Sequence, residues 1–338
     1  MKAPKIRIGI NGFGRIGRIA TRIILRHKNL ILAAINSRAE ISSHAYLLKY
    51  DSTYGILRDR ISIGQDHVKV NNQKVTIFNC DDPSSIPWER AKVDIVLDCT
   101  GKFRSSADLS GHLQHKVKYV ILSAPAKDST KTLVFGVNED SFDPINDRIV
   151  SNSSCTTNCL ATTLKVLHEK FIVKRGFMTT IHAVTDGQNL LDNSHKKEIR
   201  LRRAAFASII PASTGSAKDI GKLFPELNGK IICQSLRIPL FTVSLINLTV
   251  ETEKKTSKDD INKAFIQFAH NKLHGIIDVA KEELVSKDFT GNSHSSIIDP
   301  YLTNVVEDKL VSISAWYDNE WGYTSRLIDL ANYIGGKI

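Results

Sequence analysis

One cysteine of this 338-residue chain stands where a thiol could act as a nucleophile. Cys155 lies in the segment SSCTTNC at residues 153–159, after a strand-like segment and at the start of an apolar helical pattern. A helix amino terminus lowers the pKa of a thiol from about 8.5 toward about 3.5–7.5. The flanking hydroxyls could cap the helix or bind an oxyanion. The segment indicates nucleophilic catalysis, and the alternative is a capped helix with an inert, buried cysteine.

A second segment could hold phosphate groups. The sequence GFGRIG at residues 12–17 has the G-x-G-x-x-G spacing and lies between a strand-like and a helical pattern. In such a turn Gly12 permits the tight bend, Gly14 lets the backbone approach a pyrophosphate, and Gly17 lets the helix pack against the strand. Backbone N–H groups at the helix start then face the anion. The segment predicts dinucleotide binding, with an ordinary glycine-rich turn as the alternative.

The residues after the second predicted strand bear on the choice of dinucleotide. Dinucleotide folds usually place an acidic residue there, which binds the adenosine ribose. This chain has Asn36, Ser37 and Arg38 instead. A guanidinium could bind a 2′-phosphate through charge-assisted hydrogen bonds. The pattern favours NADP, and the alternative is that Arg38 is a solvated surface residue.

The elements that must position these residues follow two patterns. In the first half, short apolar runs alternate with helical patterns, which is typical of a parallel βαβ sheet. We expect strands at 6–10, 30–35, 93–97, 119–122 and 133–135, and a helix at 16–24. Beyond Phe171, longer strand-like stretches at 241–252 and 310–316, with helices near 159–170 and 258–270, indicate an antiparallel sheet. A polar, basic excursion at 189–207 lies between them.

These patterns predict an α/β protein of two domains. Residues 1–152 and 322–338 form a Rossmann-like dinucleotide-binding domain, in which the C-terminal helix completes the fold. Residues 153–321 form an α+β catalytic domain with a mainly antiparallel sheet. The length of the chain agrees with about 100–200 residues per domain.

Composition narrows the class of protein. No apolar run approaches the roughly 18 residues of a membrane span, and the start of the chain lacks a signal-peptide pattern, so we expect a cytoplasmic protein. The five cysteines show no metal-ligand spacing, and we expect neither a disulfide framework nor a metal. Lysine and arginine number 46 against 35 acidic residues, a balance of +11. This charge favours anionic partners, whether nucleic acid, phosphorylated metabolites or phosphate-bearing cofactors.

Four further segments make a family resemblance specific: IPASTG at 210–215, LNGK at 227–230, LRIP at 236–239 and AWYDNEWGY at 315–323. Together with the cysteine and glycine segments, and in the same order along essentially the whole chain, they resemble phosphorylating glyceraldehyde-3-phosphate dehydrogenase. The resemblance implies oxidation of D-glyceraldehyde 3-phosphate to 1,3-bisphosphoglycerate in glycolysis and gluconeogenesis. The reaction would pass through a cysteine hemithioacetal and thioester, with hydride transfer to NAD or NADP.

The resemblance also assigns roles to individual residues. Cys155 matches the family nucleophile and His182 its base, although His182 taken alone would be read as a structural histidine. Two sets match the binding positions for inorganic phosphate and for the substrate's own phosphate: Ser154, Thr156, Thr214 and Gly215 for the first, Thr185 and Arg237 for the second. Besides the glycines, the cofactor contacts fall on Arg15, Ile16, Asp81, Ser123 and Asn319, of which Asn319 would hold the nicotinamide carboxamide.

The chain departs from the family pattern near the adenosine. Ser37 replaces the usual ribose-binding Asp, and Asn193-Ser194 replaces the Leu-Pro of NAD-specific members. Ser37, Arg38 and Ser194 therefore favour NADP. Asp81 stands where the family usually has arginine, so that only a backbone contact to adenine is expected there. Phe241-Thr242 and Asn247 also differ, with no functional account.

The resemblance implies a homotetramer in which the excursion at 189–207, the family's S-loop, lies near the cofactor of a neighbouring copy. The partners expected are therefore small molecules and further copies of the chain, with no membrane and no need of nucleic acid. The nearest alternative is erythrose-4-phosphate dehydrogenase, which has the same residues and a longer substrate. An alternative of another class is a basic nucleic-acid-binding protein, motivated by the net charge and the basic cluster at 196–203, but no base-reading motif accompanies it.

Overall fold

The computed structural model describes residues 5–195 and 198–338. Lys196 and Lys197, which begin the predicted basic cluster, lie outside the described residues. The chain divides into two compact units, Met1–Ser153 with Thr324–Ile338, and Ser154–Tyr323. None of the helices in the described ranges combines the length and apolar character that crossing a membrane requires.

The first unit contains a large, mostly parallel sheet. Within the described residues the strands of this unit are β1 (Ile6–Asn11), β2 (Leu30–Asn36), β3 (Tyr50–Asp51), β4 (Gly55–Ile56), β5 (Ile61–Ile63), β6 (His67–Val70), β7 (Gln73–Phe78), β8 (Ile95–Asp98), β9 (Tyr119–Leu122), β10 (Lys131–Thr132) and β11 (Ile149–Ser151). Its α-helices are α1 (Arg15–Ile24), α2 (Ile41–Lys49) and α3 (Ser106–Leu109), with 3-10 turns at Pro83–Ser85, Trp88–Ala91, Ser110–His115 and Glu139–Ser141.

The strand order of this sheet places the glycine turn at a ligand-binding position. The order is β10-β11-β9-β8-β1-β2-β7-β6-β5, parallel except for the pairings of β6 with β7 and of β5 with β6. β3 and β4 form a separate hairpin. Because β1 is flanked by β2 on one side and β8 on the other, the order reverses at its carboxyl end. Open α/β sheets bind their ligands in the crevice at such a reversal.

The second unit holds the other strands of the described chain: β12 (Val173–Ala183), β13 (Ile210–Ala212), β14 (Ile231–Ile238), β15 (Ser244–Thr252), β16 (Ile277–Val279), β17 (Ser296–Val306) and β18 (Leu310–Tyr317). Its helices are α4 (Cys155–Phe171), α5 (Ser216–Leu223) and α6 (Lys258–His270), with 3-10 turns at Arg200–Arg202, Pro225–Leu227 and Ser286–Phe289. α7 (Trp321–Gly335) follows, and its residues from Thr324 onward belong to the first unit.

One face of the second sheet is covered by α4. The order is β13-β14-β12-β15-β18-β17-β16, antiparallel except for β12 with β14 and β16 with β17. Side chains alternate along a strand, so Met178, Thr180 and His182 of β12 are all buried on one face. α4 contacts β12, β15, β17 and β18. The sequence-predicted fold class, with a mainly antiparallel catalytic sheet, is confirmed.

Some predicted elements have different bounds. The strand predicted at 133–135 is wrong: the strand is Lys131–Thr132, and after Leu133 the chain turns through Gly136, whose φ is +88°. The strand predicted from Phe241 begins only at Ser244, because Val243 has a φ of +68°, a left-handed conformation that no strand residue adopts. The helix predicted from Cys159 begins one turn earlier, at Cys155.

Candidate active site

The amino terminus of α4 places Cys155 beside a histidine. Ser154 is the N-cap, and its hydroxyl accepts a hydrogen bond of 3.1 Å from the backbone N–H of Thr157. Cys155 is therefore the first residue of the helix, and β12 carries His182 on the face that α4 covers. The Sγ of Cys155 lies 3.4 Å from Nε2 of His182, within hydrogen-bonding distance for sulfur. The structure thus brings together the predicted nucleophile and the predicted base.

The protonation state of this pair differs from the sequence-based expectation. Burial raises the pKa of the Cys155 thiol, although the Arg237 charge and hydrogen bonds from Thr156 oppose that rise. Burial, followed by the Arg237 charge, lowers the pKa of His182 to about 3. The predicted low thiol pKa is therefore wrong for the resting site, because desolvation outweighs the helix terminus. Both shifts favour a neutral thiol beside a neutral imidazole.

The hydrogen bonding of the second ring nitrogen of His182, Nδ1, determines whether Nε2, which faces the Cys155 thiol, carries a proton. Nδ1 lies 2.6 Å from the carbonyl oxygen of Ala183, and we assign the ring proton to Nδ1, which donates a hydrogen bond to that oxygen. Nε2 then carries the lone pair and can accept a proton from Cys155. The guanidinium of Arg237 lies 2.5 Å from Nδ1 and 3.3 Å from the Ala183 oxygen. A guanidinium has only hydrogen-bond donors, so Arg237 also donates to the Ala183 oxygen. It acts on the His182 imidazole through its positive charge.

Hydroxyl groups surround the start of α4. The Ser154 hydroxyl lies 2.9 Å from that of Thr157, Thr157 donates to Ser216 at 3.2 Å, and Ser216 lies 3.0 Å from Thr214. Gly215 is the N-cap of α5 and has no side chain to cover that terminus. The structure therefore connects Ser154 with Thr214 and Gly215, three of the four residues predicted for inorganic phosphate. Small hydroxyls and free helix-terminal N–H groups are donors suited to an oxyanion.

The other three phosphate candidates have different surroundings. The Thr156 hydroxyl lies 3.0 Å from the phenolic oxygen of Tyr317, inside the second unit. Thr185 is exposed after β12, and its carbonyl oxygen accepts the N–H of Gln188. Arg237 is partly buried on β14, which pairs in parallel with β12 and places Arg237 opposite His182 in register.

A hydrogen bond to its side-chain carbonyl oxygen fixes the orientation of Asn319. This oxygen accepts a hydrogen bond of 3.1 Å from the Ser244 hydroxyl, which itself accepts the backbone N–H of Ala183. Asp318, fully buried, receives the N–H groups of Glu320 and Trp321 at the start of α7. The carboxamide NH₂ of Asn319 is thereby oriented by residues near the base. Sequence reasoning assigned no role to Ser244.

The glycine turn of the first unit has the shape that a pyrophosphate needs. Gly12 has a φ of +92°, and a Cβ there would meet the backbone of Thr100 at 2.8 Å. A Cβ on Gly17 would meet the carbonyl oxygen of Gly12 at 2.2 Å. At Gly14, by contrast, a Cβ would enter open space. Arg15 and Ile16, the first residues of α1, directly follow Gly14 and adjoin that space.

A buried polar network supports this turn. At the ends of β1, β2 and β8, Asn11 donates to Asp98 at 2.8 Å and accepts from Asn36 at 2.8 Å. Asp98 lies 3.4 Å from His112, and the Trp88 indole donates to the other nitrogen of His112 at 3.0 Å. Sequence reasoning missed this network. The amide and carboxylate residues that end three apolar strands were the available signal.

The adenosine candidates of the first unit lie at the same edge of its sheet. Ser37 follows β2, and its N–H donates to the carbonyl oxygen of Phe78. The Arg38 guanidinium lies 3.8 Å from the Asp81 carboxylate, with both side chains about 80% exposed. The N–H of Ser123, after β9, donates to the Asp98 carbonyl oxygen. Ser194 of the second unit is exposed in the excursion, where its N–H donates to the Asn193 side chain.

Comparison with known proteins decides the family. The model of "Glyceraldehyde 3-phosphate dehydrogenase, NAD binding domain" matches residues 6–106, and that of the C-terminal domain of the same enzyme matches residues 154–319. The chain belongs to the glyceraldehyde-3-phosphate dehydrogenase family. It is 45% identical over 332 residues to a glyceraldehyde-3-phosphate dehydrogenase of Priestia megaterium, covering 98% of this chain and 99% of the relative.

Further members of the glyceraldehyde-3-phosphate dehydrogenase family give the same result. The enzyme of Geobacillus stearothermophilus is 43% identical, with 98% of this chain and 99% of the relative covered. Glyceraldehyde-3-phosphate dehydrogenase 2 of Bacillus subtilis is 42% identical, with 99% and 98% covered. The match to the NAD-binding domain of the family shows that the first unit binds a nicotinamide cofactor.

Proposed function

We propose that the protein oxidises D-glyceraldehyde 3-phosphate and phosphorylates the product to 1,3-bisphosphoglycerate. The observation that carries this proposal is the 3.4 Å contact between Cys155 Sγ and His182 Nε2 at the start of α4. Hydroxyls for one phosphate lie at the start of α4, next to Cys155, and Arg237 contacts His182. Residues 153–321 would perform the chemistry, and 1–152 with 322–338 would hold the cofactor. The two compact units support that division.

The first half of the reaction acylates Cys155. As Sγ attacks the aldehyde carbon, Nε2 of His182 takes the thiol proton and returns it to the carbonyl oxygen, giving a hemithioacetal. His182 then takes the hydroxyl proton as the hydride departs, and a thioester remains on Cys155. General-base assistance of this kind contributes roughly 10²–10⁴ in rate. Arg237, with Thr185, would hold the substrate phosphate and so fix the aldehyde carbon beside the sulfur.

The second half releases the product. Inorganic phosphate attacks the thioester carbon, the C–S bond breaks, and the Cys155 sulfur recovers the proton held by His182. Ser154, Thr214 and the Gly215 N–H would orient the attacking phosphate, and Thr156 lies at the edge of this group. The thioester must be shielded from water in the meantime, since hydrolysis would discard its energy.

The residues present fit a nicotinamide dinucleotide. A Cβ at Gly14 would enter the open space beside the α1 amino terminus, where a pyrophosphate would lie against the first turn of the helix, at Arg15 and Ile16. Asp81 and Ser123 would contact the adenosine and central portions, and Asn319 would donate its NH₂ to the nicotinamide carboxamide. When bound, the nicotinamide accepts the hydride released in the oxidation step.

We further propose that the enzyme uses NADP as well as NAD. Ser37 brings no negative charge to the ribose, and Arg38 and Ser194 would supply donors to a 2′-phosphate. The nearby Asp81 carboxylate opposes this by pairing with Arg38, although exposure leaves that ion pair weak. We expect Ser37→Asp to shift the ratio of kcat/KM toward NAD and Asp81→Asn to shift it toward NADP. An unchanged ratio in both variants would contradict this assignment.

Exposed apolar side chains support the proposed homotetramer. Phe177 and Ile232 lie on the outer face of the second sheet and are 65% and 56% exposed. Leu190, Leu191 and Ile199 of the excursion are exposed as well. Apolar surface of this kind marks an interaction site, and the resemblance names further copies of the chain as the partner. Sedimentation of the purified protein tests this proposal.

A reducing compartment suits the chemistry, because a thiol nucleophile must stay reduced. We therefore propose a cytoplasmic location and a place in glycolysis or, in the reverse direction, gluconeogenesis. Within the described part of the basic excursion, Arg203 is paired with Asp192 at 3.2 Å, and no base-reading motif accompanies the cluster.

The test is the rate of cofactor reduction by the purified protein with glyceraldehyde 3-phosphate, with and without inorganic phosphate. We expect turnover that needs phosphate and a single-turnover burst in its absence. A parallel assay with erythrose 4-phosphate distinguishes the longer substrate. Equal or greater kcat/KM on erythrose 4-phosphate would overturn the assignment of the substrate, and no turnover on either would overturn the proposed function.

A further inference from the structure

Tyr317 is a buried side chain that the reaction described above does not use. It ends β18 and is 1% exposed, and burial raises the pKa of its hydroxyl, as do the neighbouring Cys155 and Cys159. Its ring packs edge-on to that of His182, with centroids 6.0 Å apart and planes at 77°. A phenol so placed is a neutral hydroxyl at physiological pH. It therefore serves as a hydrogen-bonding group rather than as an acid.

The Tyr317 oxygen joins the two elements that carry the catalytic pair. It lies 2.8 Å from the Thr180 hydroxyl on β12 and 3.0 Å from the Thr156 hydroxyl on α4. Thr180 is two residues before His182 on the same face of β12, and Thr156 immediately follows Cys155. All three hydroxyl-bearing residues are buried, at 1–5% exposure, so water does not compete for these bonds.

We propose that Thr180, Tyr317 and Thr156 form a relay of hydroxyls that holds a hydrogen-bond donor on the sulfur of Cys155. This inference rests on the proposed function, in which Cys155 is the nucleophile. Tyr317 and Thr180 are positioning residues, because neither touches the reacting carbon. The relay also keeps the α4 terminus in register with β12, and with it the distance between Cys155 and His182.

The direction of the relay follows from the number of protons. Each hydroxyl has one proton to donate and lone pairs to accept with. Thr156 directly follows Cys155 at the start of α4, and its hydroxyl is the donor that opposes the rise of the Cys155 pKa and so favours the thiolate. Thr156 has then used its proton and must accept from Tyr317, which in turn accepts from Thr180. Hydrogen bonds in such a chain polarise one another, so each link strengthens the donor that reaches the sulfur.

The rate of alkylation of Cys155 by iodoacetamide, measured against pH, tests the relay without any substrate. Cys159 is fully buried, and mass spectrometry of the product confirms which thiol reacts. We expect Tyr317→Phe to move the profile to higher pH and to slow alkylation near neutrality by about 3–10-fold. Thr180→Val should have a smaller effect of the same sign, and Thr180→Ser, which keeps the hydroxyl, should restore the wild-type profile.

Steady-state kinetics provide a second readout. We expect kcat for glyceraldehyde 3-phosphate to fall about 10–100-fold in Tyr317→Phe, because a small displacement of reacting groups has effects of this size. The KM for inorganic phosphate should not change. The matched control is Tyr119→Phe, which removes a hydroxyl that donates to the Pro144 carbonyl oxygen in the first unit. The control should lose some thermal stability and keep both the pH profile and kcat.

Two results would overturn the relay. One is a Tyr317→Phe enzyme with the wild-type alkylation profile, whatever its stability. The other is a Thr180→Ser enzyme as impaired as Thr180→Val, since the hydroxyl would then be irrelevant. His182, Arg237 and Cys159 also face the Cys155 sulfur, but they are the same in every variant and cannot produce the difference. An inactive wild-type enzyme with a shifted Tyr317→Phe profile would refute the proposed substrate and leave the relay supported.

Discussion

Replacing Arg237 with leucine tests how the site recognises the anionic end of its substrate. Arg237 lies opposite His182 in register, and its guanidinium shares the Ala183 oxygen with the imidazole. A hydrogen bond to a charged group contributes about 1.5–3 kcal/mol, or about 10–100-fold in binding. We therefore expect kcat/KM for glyceraldehyde 3-phosphate to fall about 10–100-fold. For unphosphorylated glyceraldehyde, which offers the guanidinium no anion, the fall should be clearly smaller, because only the effect of the Arg237 charge on Cys155 and His182 is lost.

The assay compares the two aldehydes by steady-state cofactor reduction at one pH. Arg175→Leu is the matched control, because Arg175 lies on β12, is 76% exposed and pairs with Glu251 at 2.8 Å. That variant should behave as wild type on both substrates. An equal loss on both aldehydes in Arg237→Leu would refute the reasoning. Arg237 would then act through the charge it places beside His182, rather than through the substrate phosphate.

Further predictions concern the nucleophile, pH and stability. Cys155→Ser should abolish turnover and leave the fold and cofactor binding intact, whereas Cys159→Ser should stay active. A thiol probe that inactivates the enzyme by labelling Cys159 would contradict this assignment. Burial raises the pKa of Cys155, and the Arg237 charge opposes that rise. Arg237→Leu should therefore shift the pH profile of Cys155 alkylation to higher pH. A shift to lower pH would contradict this role of the Arg237 charge. Ser244→Ala frees the Asn319 carboxamide and should raise the KM for the cofactor by about 2–10-fold at similar kcat. Ser257→Ala removes the cap of α6 and should lower the free energy of unfolding by about 1 kcal/mol, as measured by denaturant titration, with no change in activity.

The parts of the site that could be predicted are those with local signals. The glycines of residues 12–17 indicate a turn, and the hydroxyls around Cys155 indicate the start of a helix. Both signals lie within a few residues, and the structure has both features. The bounds of α6 also agree with its periodicity. His182 needed the resemblance, since nothing local distinguishes it among 11 histidines.

The rest depends on contacts between distant segments. Asn36, Asn11 and Asp98 meet only because β2, β1 and β8 are neighbours in the sheet, an order that no local pattern encodes. Tyr317 reaches Cys155 across 162 positions of sequence, in a segment noted only for its family motif. The thiol pKa illustrates the same limit. The helix terminus was visible in the sequence, but the burial that outweighs it is a property of the packed unit.

The Arg38–Asp81 pair has a consequence for how such an enzyme can change over generations. Both side chains are mostly exposed, and neither supports the core, so substitutions at these positions leave folding almost untouched. The proposed catalytic pair is different, because Cys155 and His182 lie 3.4 Å apart and the His182 ring packs against the buried ring of Tyr317. Under the cofactor assignment proposed above, one or two surface substitutions would therefore change which nicotinamide cofactor the enzyme prefers. The chemistry itself offers no such freedom, and cofactor preference should vary among relatives far more readily than reaction type.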